Sequence, residues 1–310
     1  MKHPFIARTS LLAKLFVYFV PLLLAQCDSP NAGKRESTSS GEINISVDES
    51  FQPVIDSQIS VFLSSFPNAK VNVHYKPEAD CLRDLFRDSI TRMVIVTRLM
   101  TPDEEQFFKD SLTYVPREET IAYDAIAVIV NNKAKDSIFN MDDIRGILSG
   151  TSSYKLRPVM DGTKATSTVR YAIDSIMKGK PLGQNVTAAQ TSQGVIDYVA
   201  NNEDAIGFIG VSWIGNPEDP GQLSFLQKVR IASIQCATCT NETYVKPYQG
   251  NIAEKRYPMV RSLYYILREN YSGLGSGLAN FLKYERGQLI FRRAYLWPAR
   301  MRFEVRQVQL

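Results

Sequence analysis

The sequence predicts an α/β protein built on mainly parallel strands, and three observations lead there. Short, wholly apolar runs recur: Met93-Val-Ile-Val96, Ala125-Ile-Ala-Val-Ile-Val130 and Ala205-Ile-Gly-Phe-Ile-Gly-Val211. Such runs suit strands buried on both faces, as in a parallel sheet covered by helices. They alternate along the chain with segments of helical period, the order that helix-covered sheets produce. Finally, 310 residues with 44% apolar and 22% charged content can bury a sizeable core.

The elements follow in order. Ile43, Ile45 and Val47 share one strand face, Asp48-Glu-Ser50-Phe51 turns the chain, and Pro53, Val54, Ile55, Ile59, Phe62 and Leu63 fit a helix. Val71, Val73 and Tyr75 give a second strand, and Ala79, Leu82, Leu85 and Phe86 a second helix. Thr97 and Arg98 leave the Met93 strand, and Thr101-Pro-Asp-Glu-Glu105 is a strong helix start. After the Ala125 strand come a helix over Asp142 to Leu148, a strand near Val159 and a helix whose apolar face is Val169, Ala172, Ile173, Ile176 and Met177. Val195, Ile196 and Val199 mark a helix from Ser192 to Ala200. Met259 to Leu267 suits a strand, and Leu274 to Leu282 and Leu289 to Tyr295 suit helices. There is no internal repeat.

The formal charge of +4 overstates the basic character. Lys2, Arg8 and Lys14 lie in a leader without acidic residues, and without it the balance is +1. No basic run with interleaved aromatics points to nucleic acid. The leader continues with the apolar run Leu15 to Ala25, then Gln26 and Cys27. Eleven residues are too few to span a bilayer and suit a signal peptide over residues 1–26. Leu24-Ala-Gln-Cys27 resembles a bacterial lipoprotein processing box, although Gln26 departs from the small residue usual before the cysteine. The expectation is lipidation at Cys27, a disordered polar tether over residues 27–41, and residence in the bacterial cell envelope, lipid-anchored and facing the periplasm or exterior.

In that oxidising setting Cys236 and Cys239 are spaced for a small disulfide loop or remain free thiols, and Cys81 is expected buried on its helix. His74 is the only histidine outside the leader, so neither a metal site nor a histidine-dependent hydrolase is supported. No Gly-x-Ser-x-Gly motif replaces it. No enzyme and no cofactor are expected.

The chemistry concentrates in Asp161-Gly-Thr-Lys-Ala-Thr166-Ser167-Thr168-Val-Arg170. The three hydroxyls stand at a helix N-terminus, where unpaired backbone N–H groups and the helix dipole favour a small oxyanion. Arg170 adds a planar fork of donors in the first turn. In α/β sheets ligands gather beyond the carboxyl ends of strands. Three loops are so placed: Asp48 to Phe51, Thr97 to Arg98 and Asp161 to Thr168.

At this point the chain resembles the type II periplasmic solute-binding proteins, specifically the phosphate-binding component of bacterial phosphate ABC transporters. The likeness runs from about Gly41 to Val308 through Ser46-Val-Asp-Glu-Ser50-Phe51-Gln-Pro53, Val96-Thr97-Arg98-Leu, Tyr123-Asp124-Ala-Ile-Ala-Val-Ile-Val-Asn131, Asp142-Asp-Ile-Arg-Gly-Ile-Leu-Ser-Gly150, Thr166-Ser-Thr-Val-Arg170, Ala205-Ile-Gly-Phe-Ile-Gly210 and Tyr257-Pro-Met-Val-Arg-Ser-Leu-Tyr264. It implies two lobes, each a mainly parallel sheet flanked by helices, joined by two crossover strands and closing over one anion. Lobe one takes residues 42–121 and the return 252–310; lobe two takes 122–251. Ser50 and the backbone of Phe51 match the family's first phosphate loop, and Thr166, Ser167 and Thr168 its second. Thr97, Arg98, Asp124, Asp161 and Arg170 complete the expected phosphate site. The partners implied are inorganic phosphate and a membrane permease, with the protein itself a monomer.

The chain departs from the family pattern at three places. Arg98 stands where some members carry an aspartate that accepts the ligand's proton. Lys164-Ala-Thr separates Asp161-Gly162 from the hydroxyls, and Tyr75-Lys-Pro-Glu-Ala79 replaces a serine-rich segment. A carboxylate in such a site accepts a hydrogen bond from protonated phosphate and repels sulfate, which has no proton to give. Asp48, Glu49, Asp124 and Asp161 are the available acceptors. Another oxyanion such as sulfate, or a lipid-anchored sensor or adhesion protein of the same fold, are the alternatives.

Overall fold

The strand Arg117–Asn131 is the longest among the described residues and belongs to both halves of the molecule. The computed structural model describes residues 36–162 and 166–301. The leader, Cys27 and the tether as far as Arg35 lie outside the described residues, as do Thr163, Lys164 and Ala165. Within them the strands are β1 (Gly41–Asp48), β2 (Ala69–Lys76), β3 (Thr91–Val96), β4 (Arg117–Asn131), β5 (Ile138–Phe139), β6 (Arg157–Met160), β7 (Thr187–Ala188), β8 (Ala205–Gly210), β9 (Val229–Ile231), β10 (Ser233–Gln235), β11 (Tyr244–Val245), β12 (Val260–Leu267) and β13 (Trp297–Pro298). The helices are α1 (Gln52–Ser65), α2 (Glu78–Arg87), α3 (Pro102–Leu112), α4 (Met141–Ser149), α5 (Ser167–Tyr171), α6 (Ser192–Asn201), α7 (Pro220–Leu226), α8 (Gln249–Ala253), α9 (Leu274–Lys283) and α10 (Glu285–Arg293).

The main sheet runs β2-β1-β3-β12-β4-β8-β6-β7, with β9 and β13 also paired to β4. Its outer pairs are parallel: β1 with β2 and β3, β6 with β7 and β8. The central pairs, β3–β12, β12–β4 and β4–β8, are antiparallel. The expectation of mainly parallel strands therefore holds in the outer part of each lobe, and the antiparallel pairs at the centre all involve the two expected crossings, β4 and β12. The reason is the path of the chain, which leaves the first lobe along β4 and returns along β12 in the opposite direction.

β4 changes partner midway. Arg117 to Ala125 pairs with β12, and Ile126 to Val130 pairs with β8. Ile126 N donates to Met259 O at 2.9 Å, so the two crossings lie side by side. In the strand ladder β4 thus changes partner at Ala125/Ile126 and β12 pairing begins at Val260, four and eight residues along from the expected lobe boundaries at 121/122 and 251/252.

The first lobe's core packs Ile43, Ile45 and Val47 of β1 against Val54, Ile55 and Phe62 of α1 and Leu274 and Leu278 of α9, all buried. In the second lobe Val195, Ile196 and Val199 of α6 cover Ala127, Ile129 and Ile209. Each fully buried side chain of this size contributes about 1.5–3 kcal/mol. The helix starts behave as the sequence suggests. Thr101 and Glu104 form a reciprocal capping box on α3, and Asn140 and Asp143 form one on α4. Of the apolar face, Val169, Ala172, Ile176 and Met177 are buried and Ile173 is half-buried, but the helix passes from α5 into one π-type turn, Ala172–Ile176.

The cysteines are also resolved. Cys236 and Cys239 form a disulfide beside the small β11-β10-β5 sheet, and Cys81 is free and buried. The tether, however, ends earlier than Gly41. Glu36 pairs with Arg92 at 2.8 Å and accepts the backbone N–H of Leu274 at 2.9 Å, which fastens the chain to the first lobe five residues before β1. Its polar composition concealed this because the contacts are ionic rather than apolar. No helix among the described residues is long and apolar enough to cross a membrane.

Candidate functional site

A buried polar cluster lies where the lobes meet, and backbone geometry at the strand ends builds it. Asp48 closes β1, and its Oδ1 accepts the N–H of Ser50 at 2.9 Å, tightening Glu49–Phe51 into a single 3-10 turn. Pro53 in the first turn of α1 then fixes the onward direction. The carbonyl of Ser50 accepts from Ser212 Oγ (3.1 Å) and Trp213 Nε1 (2.9 Å) of the second lobe. The Ser50 hydroxyl donates to Asp161 Oδ2 (3.3 Å) and stands 3.4 Å from Ser167 Oγ.

From the other side, Asp161 leaves β6 and collects the hydroxyls of the next loop. Thr166 Oγ1 donates to its Oδ1 at 2.8 Å, and Thr168 Oγ1 to its Oδ2 at 3.1 Å. Thr166 also caps α5 by accepting the Val169 N–H at 3.2 Å. The first and second expected loops therefore do converge, with Asp161 as their common acceptor.

The centre of the cluster is Arg261, which the sequence analysis did not single out. Its Nε donates to Asp124 Oδ2 at 2.8 Å, and its Nη1 to Ser167 Oγ at 2.9 Å, with Thr168 Oγ1 at 3.5 Å. The guanidinium lies 5.0 Å from the centre of the Phe51 ring, a cation–π contact. Asp124 lies within β4, its Oδ1 accepting the Val211 N–H at 3.2 Å, so both of its oxygens are engaged by protein donors. Gly210 allows this packing: a Cβ there would stand 3.2 Å from Arg261 Nη2 and 3.3 Å from both Asp124 Oδ2 and the Ser50 carbonyl.

Two buried atoms in the cluster have no hydrogen-bond partner among the described residues, Asp48 Oδ2 and Arg261 Nη2. Burial, reinforced by the charge of Glu78, pushes the Asp48 carboxyl up to about 7, against the pull of Arg261 and of the Ser167 hydroxyl close by, which is not aligned well enough to satisfy Oδ2. Burial likewise raises Asp161 and Asp124. For Arg261 burial works against the charged form, but Asp124 and Asp48 outweigh it and the guanidinium stays charged.

Beside this cluster lies a second one, also absent from the sequence analysis at its key residue. Glu78, first residue of α2, accepts Thr97 N–H and Thr97 Oγ1 on Oε1, both at 2.7 Å, and Arg170 Nε on Oε2 at 2.6 Å. Arg170 and Thr97, both expected at the anion, are thus joined through Glu78. Arg98 contacts neither cluster directly: it makes a two-pronged pair with Glu104, 2.7 Å for each contact, on the same cavity that Glu78 and Arg170 line. Glu104 is already fixed by the α3 capping box, and it takes Arg98 with it. Glu49, an available acceptor in the sequence, instead receives the N–H (3.1 Å) and hydroxyl (2.9 Å) of Ser192 at the start of α6. Among the described residues no group of three His, Cys, Asp or Glu is placed to hold a metal ion.

Both missed residues left a signal. In β12, buried positions alternate as Arg261, Leu263 and Tyr265, so an arginine occupies the core-facing parity of a strand. Glu78 follows Pro77 at a helix start, within the segment that departs from the family pattern.

Two lobes, two crossings and a buried polar cluster between them define a type II periplasmic-binding fold. The chain belongs to the PBP superfamily, whose domain model matches residues 32–285. A Clostridium perfringens structure described as a phosphate ABC transporter substrate-binding protein with bound phosphate is similar at 18% identity and TM-score 0.68, over 84% of this chain and 100% of that one. An ABC-type phosphate transport receptor from Vibrio cholerae matches at 18% identity and TM-score 0.61, over 83% and 100%. PstS from Borrelia burgdorferi matches at 17% identity and TM-score 0.52, over 84% and 99%. At such identities the likeness speaks to the fold. No curated protein matches the sequence.

Proposed function

We propose that this protein binds inorganic phosphate between its lobes and delivers it to an ABC-transporter permease, held at the bacterial cell envelope by a lipid on Cys27. The observation that carries the ligand is the pair of unpartnered buried atoms, Asp48 Oδ2 and Arg261 Nη2, set among hydroxyls from both lobes. One is an acceptor and the other a donor. A protonated oxyanion satisfies both, giving its O–H to Asp48 and an unprotonated oxygen to Arg261. Where Asp48 is ionised, an unprotonated dianion satisfies only the donor.

The remaining donors are adaptable. Ser50, Thr166 and Thr168 aim their single protons at Asp161, and each hydroxyl turns about its C–O bond to face a guest. Because Ser50 and Ser167 come from opposite lobes, an anion that takes both holds the lobes together. That differential affinity for the closed form is what a ligand needs to drive closure. The names of the similar phosphate-binding structures agree with this ligand, and the lipoprotein-like leader with the location.

Calorimetric titration of the purified chain, stripped of carried ion by unfolding and refolding, tests it. One phosphate per chain at micromolar affinity or tighter is expected, with sulfate a poor competitor. No heat with phosphate from a protein shown to be folded overturns the proposal, and tighter sulfate binding overturns the choice of ion. Lipidation is tested separately by fatty-acid labelling in cells, which Cys27→Ser should abolish.

A further inference from the structure

We infer that Glu78 sets which charge state of oxyanion the cleft accepts, by holding donors that a fully ionised oxyanion would otherwise take. The inference deepens the phosphate-binding proposal and rests on it.

The geometry is that of an anion site already filled from within. A backbone N–H and a hydroxyl from Thr97 and the guanidinium edge of Arg170 converge on the Glu78 carboxylate at 2.6–2.7 Å. Arg170 Nη2 also reaches Thr97 Oγ1 at 2.7 Å and Glu78 Oε1 at 3.4 Å, closing a ring of contacts. Backbone amide, hydroxyl and arginine fork are the donors that hold a phosphate or sulfate oxygen. Thr97 follows β3 in the first lobe and Arg170 lies in α5 of the second, so the carboxylate bridges the lobes as a ligand would. Glu78 is 2% exposed.

With these donors committed, the guest is left with Arg261, Ser50, Ser167 and Thr168. Asp48, Asp124 and Asp161 stand around the same space. The charged groups facing Glu78 are Arg170 and Asp174 from the α5 segment, Asp48 at the end of β1 and Arg98 beyond β3. Burial opposes its ionisation, but Arg170 and Thr97 outweigh that and keep the carboxyl below its ordinary value. Glu78 therefore stays a fixed negative charge beside Asp48. With Arg261 and Arg170 against four buried carboxylates, the region is net negative when all are ionised. A dianion without protons meets repulsion there, whereas an oxyanion that donates a proton to Asp48 lowers it.

The test titrates inorganic phosphate and sulfate into the wild-type chain and into Glu78→Gln, which keeps the side chain's size and removes its charge. In wild type, phosphate should bind at least ~100-fold more tightly than sulfate. In Glu78→Gln, Arg170 and Thr97 are released, and the phosphate-to-sulfate ratio should fall at least ~10-fold through a gain in sulfate affinity. Adding Arg170→Gln to that variant should remove the gain. An unchanged ratio in a folded Glu78→Gln protein overturns the inference. So does sulfate binding to wild type as tightly as phosphate, a measurement that needs no variant to fold. If wild type binds no phosphate, the proposed function fails, and the sulfate titration of Glu78→Gln still decides what Glu78 does.

Discussion

Arg98 and Arg261 make the same kind of contact in opposite surroundings. Arg98 pairs with Glu104 on the cleft rim, their side chains 26% and 22% exposed. Arg261 pairs with Asp124 at the lobe junction, the side chains 2% and 0% exposed. At the rim water screens both charges, and such pairs are worth about 0–1 kcal/mol. At the junction each charge depends on its partner, because removing one leaves the other buried and uncompensated, at about 3–5 kcal/mol. The pair that stands beside a recognisable loop in the sequence is the one with the least consequence. Solvent exposure, not residue type, separates them.

The largest expected effect sharpens that contrast. Arg261→Met should lower stability by about 3–5 kcal/mol in urea unfolding and abolish phosphate binding, since it strands Asp124 and removes the unpartnered donor. A variant with near-normal stability and binding would break the comparison from the buried side.

Asp48→Asn acts on the same buried region through pH. A carboxyl raised to about 7 keeps its proton in the folded state while the unfolded chain releases it, so its contribution is present below the ordinary value and fades as pH rises to about 7. Wild-type stability should therefore decline across roughly pH 4 to 7 by ~2–4 kcal/mol from this group. The Asn variant should lose that decline, and thermal unfolding at pH 8 should show it the more stable. Identical pH profiles would place Asp48 in contact with water.

A smaller effect is expected away from both arginines. Cys236→Ser removes a disulfide that closes a short loop, and about 2 kcal/mol or less of stability should go with it. Phosphate affinity should not move, because the β11-β10-β5 sheet supplies none of the cluster. Least of all, Arg98→Ala should cost under about 1 kcal/mol and leave the phosphate dissociation constant within about twofold of wild type. A tenfold loss would return Arg98 to the site and break the comparison from the rim.

Much of the fold was legible. Wholly apolar runs placed β3, the second half of β4 and β8, and Thr101-Pro-Asp-Glu104 marked the start of α3. Part of the cluster was legible too: Ser50, Asp161 and Thr166 to Thr168, named from the sequence, lie in contact, because strand ends and helix starts are local features. Arg98, Arg170 and Asp124 were singled out along the chain, but the side chains they pair with were not read from it. Glu104, Glu78 and Arg261 claim them, and two of those three are far away in sequence.

The sequence by itself determined the order of strands and helices, the hydroxyl-rich turns at their ends and the apolar faces that bury them. These depend on periodicity and on neighbours within a few residues. Only the tertiary structure decided which charges meet. Arg261 reaches Asp124 across 137 residues, and Glu78 reaches Arg170 across 92. Buried charges select partners by proximity in a medium that cannot screen them, and that proximity exists only after β4 and β12 have crossed between the lobes.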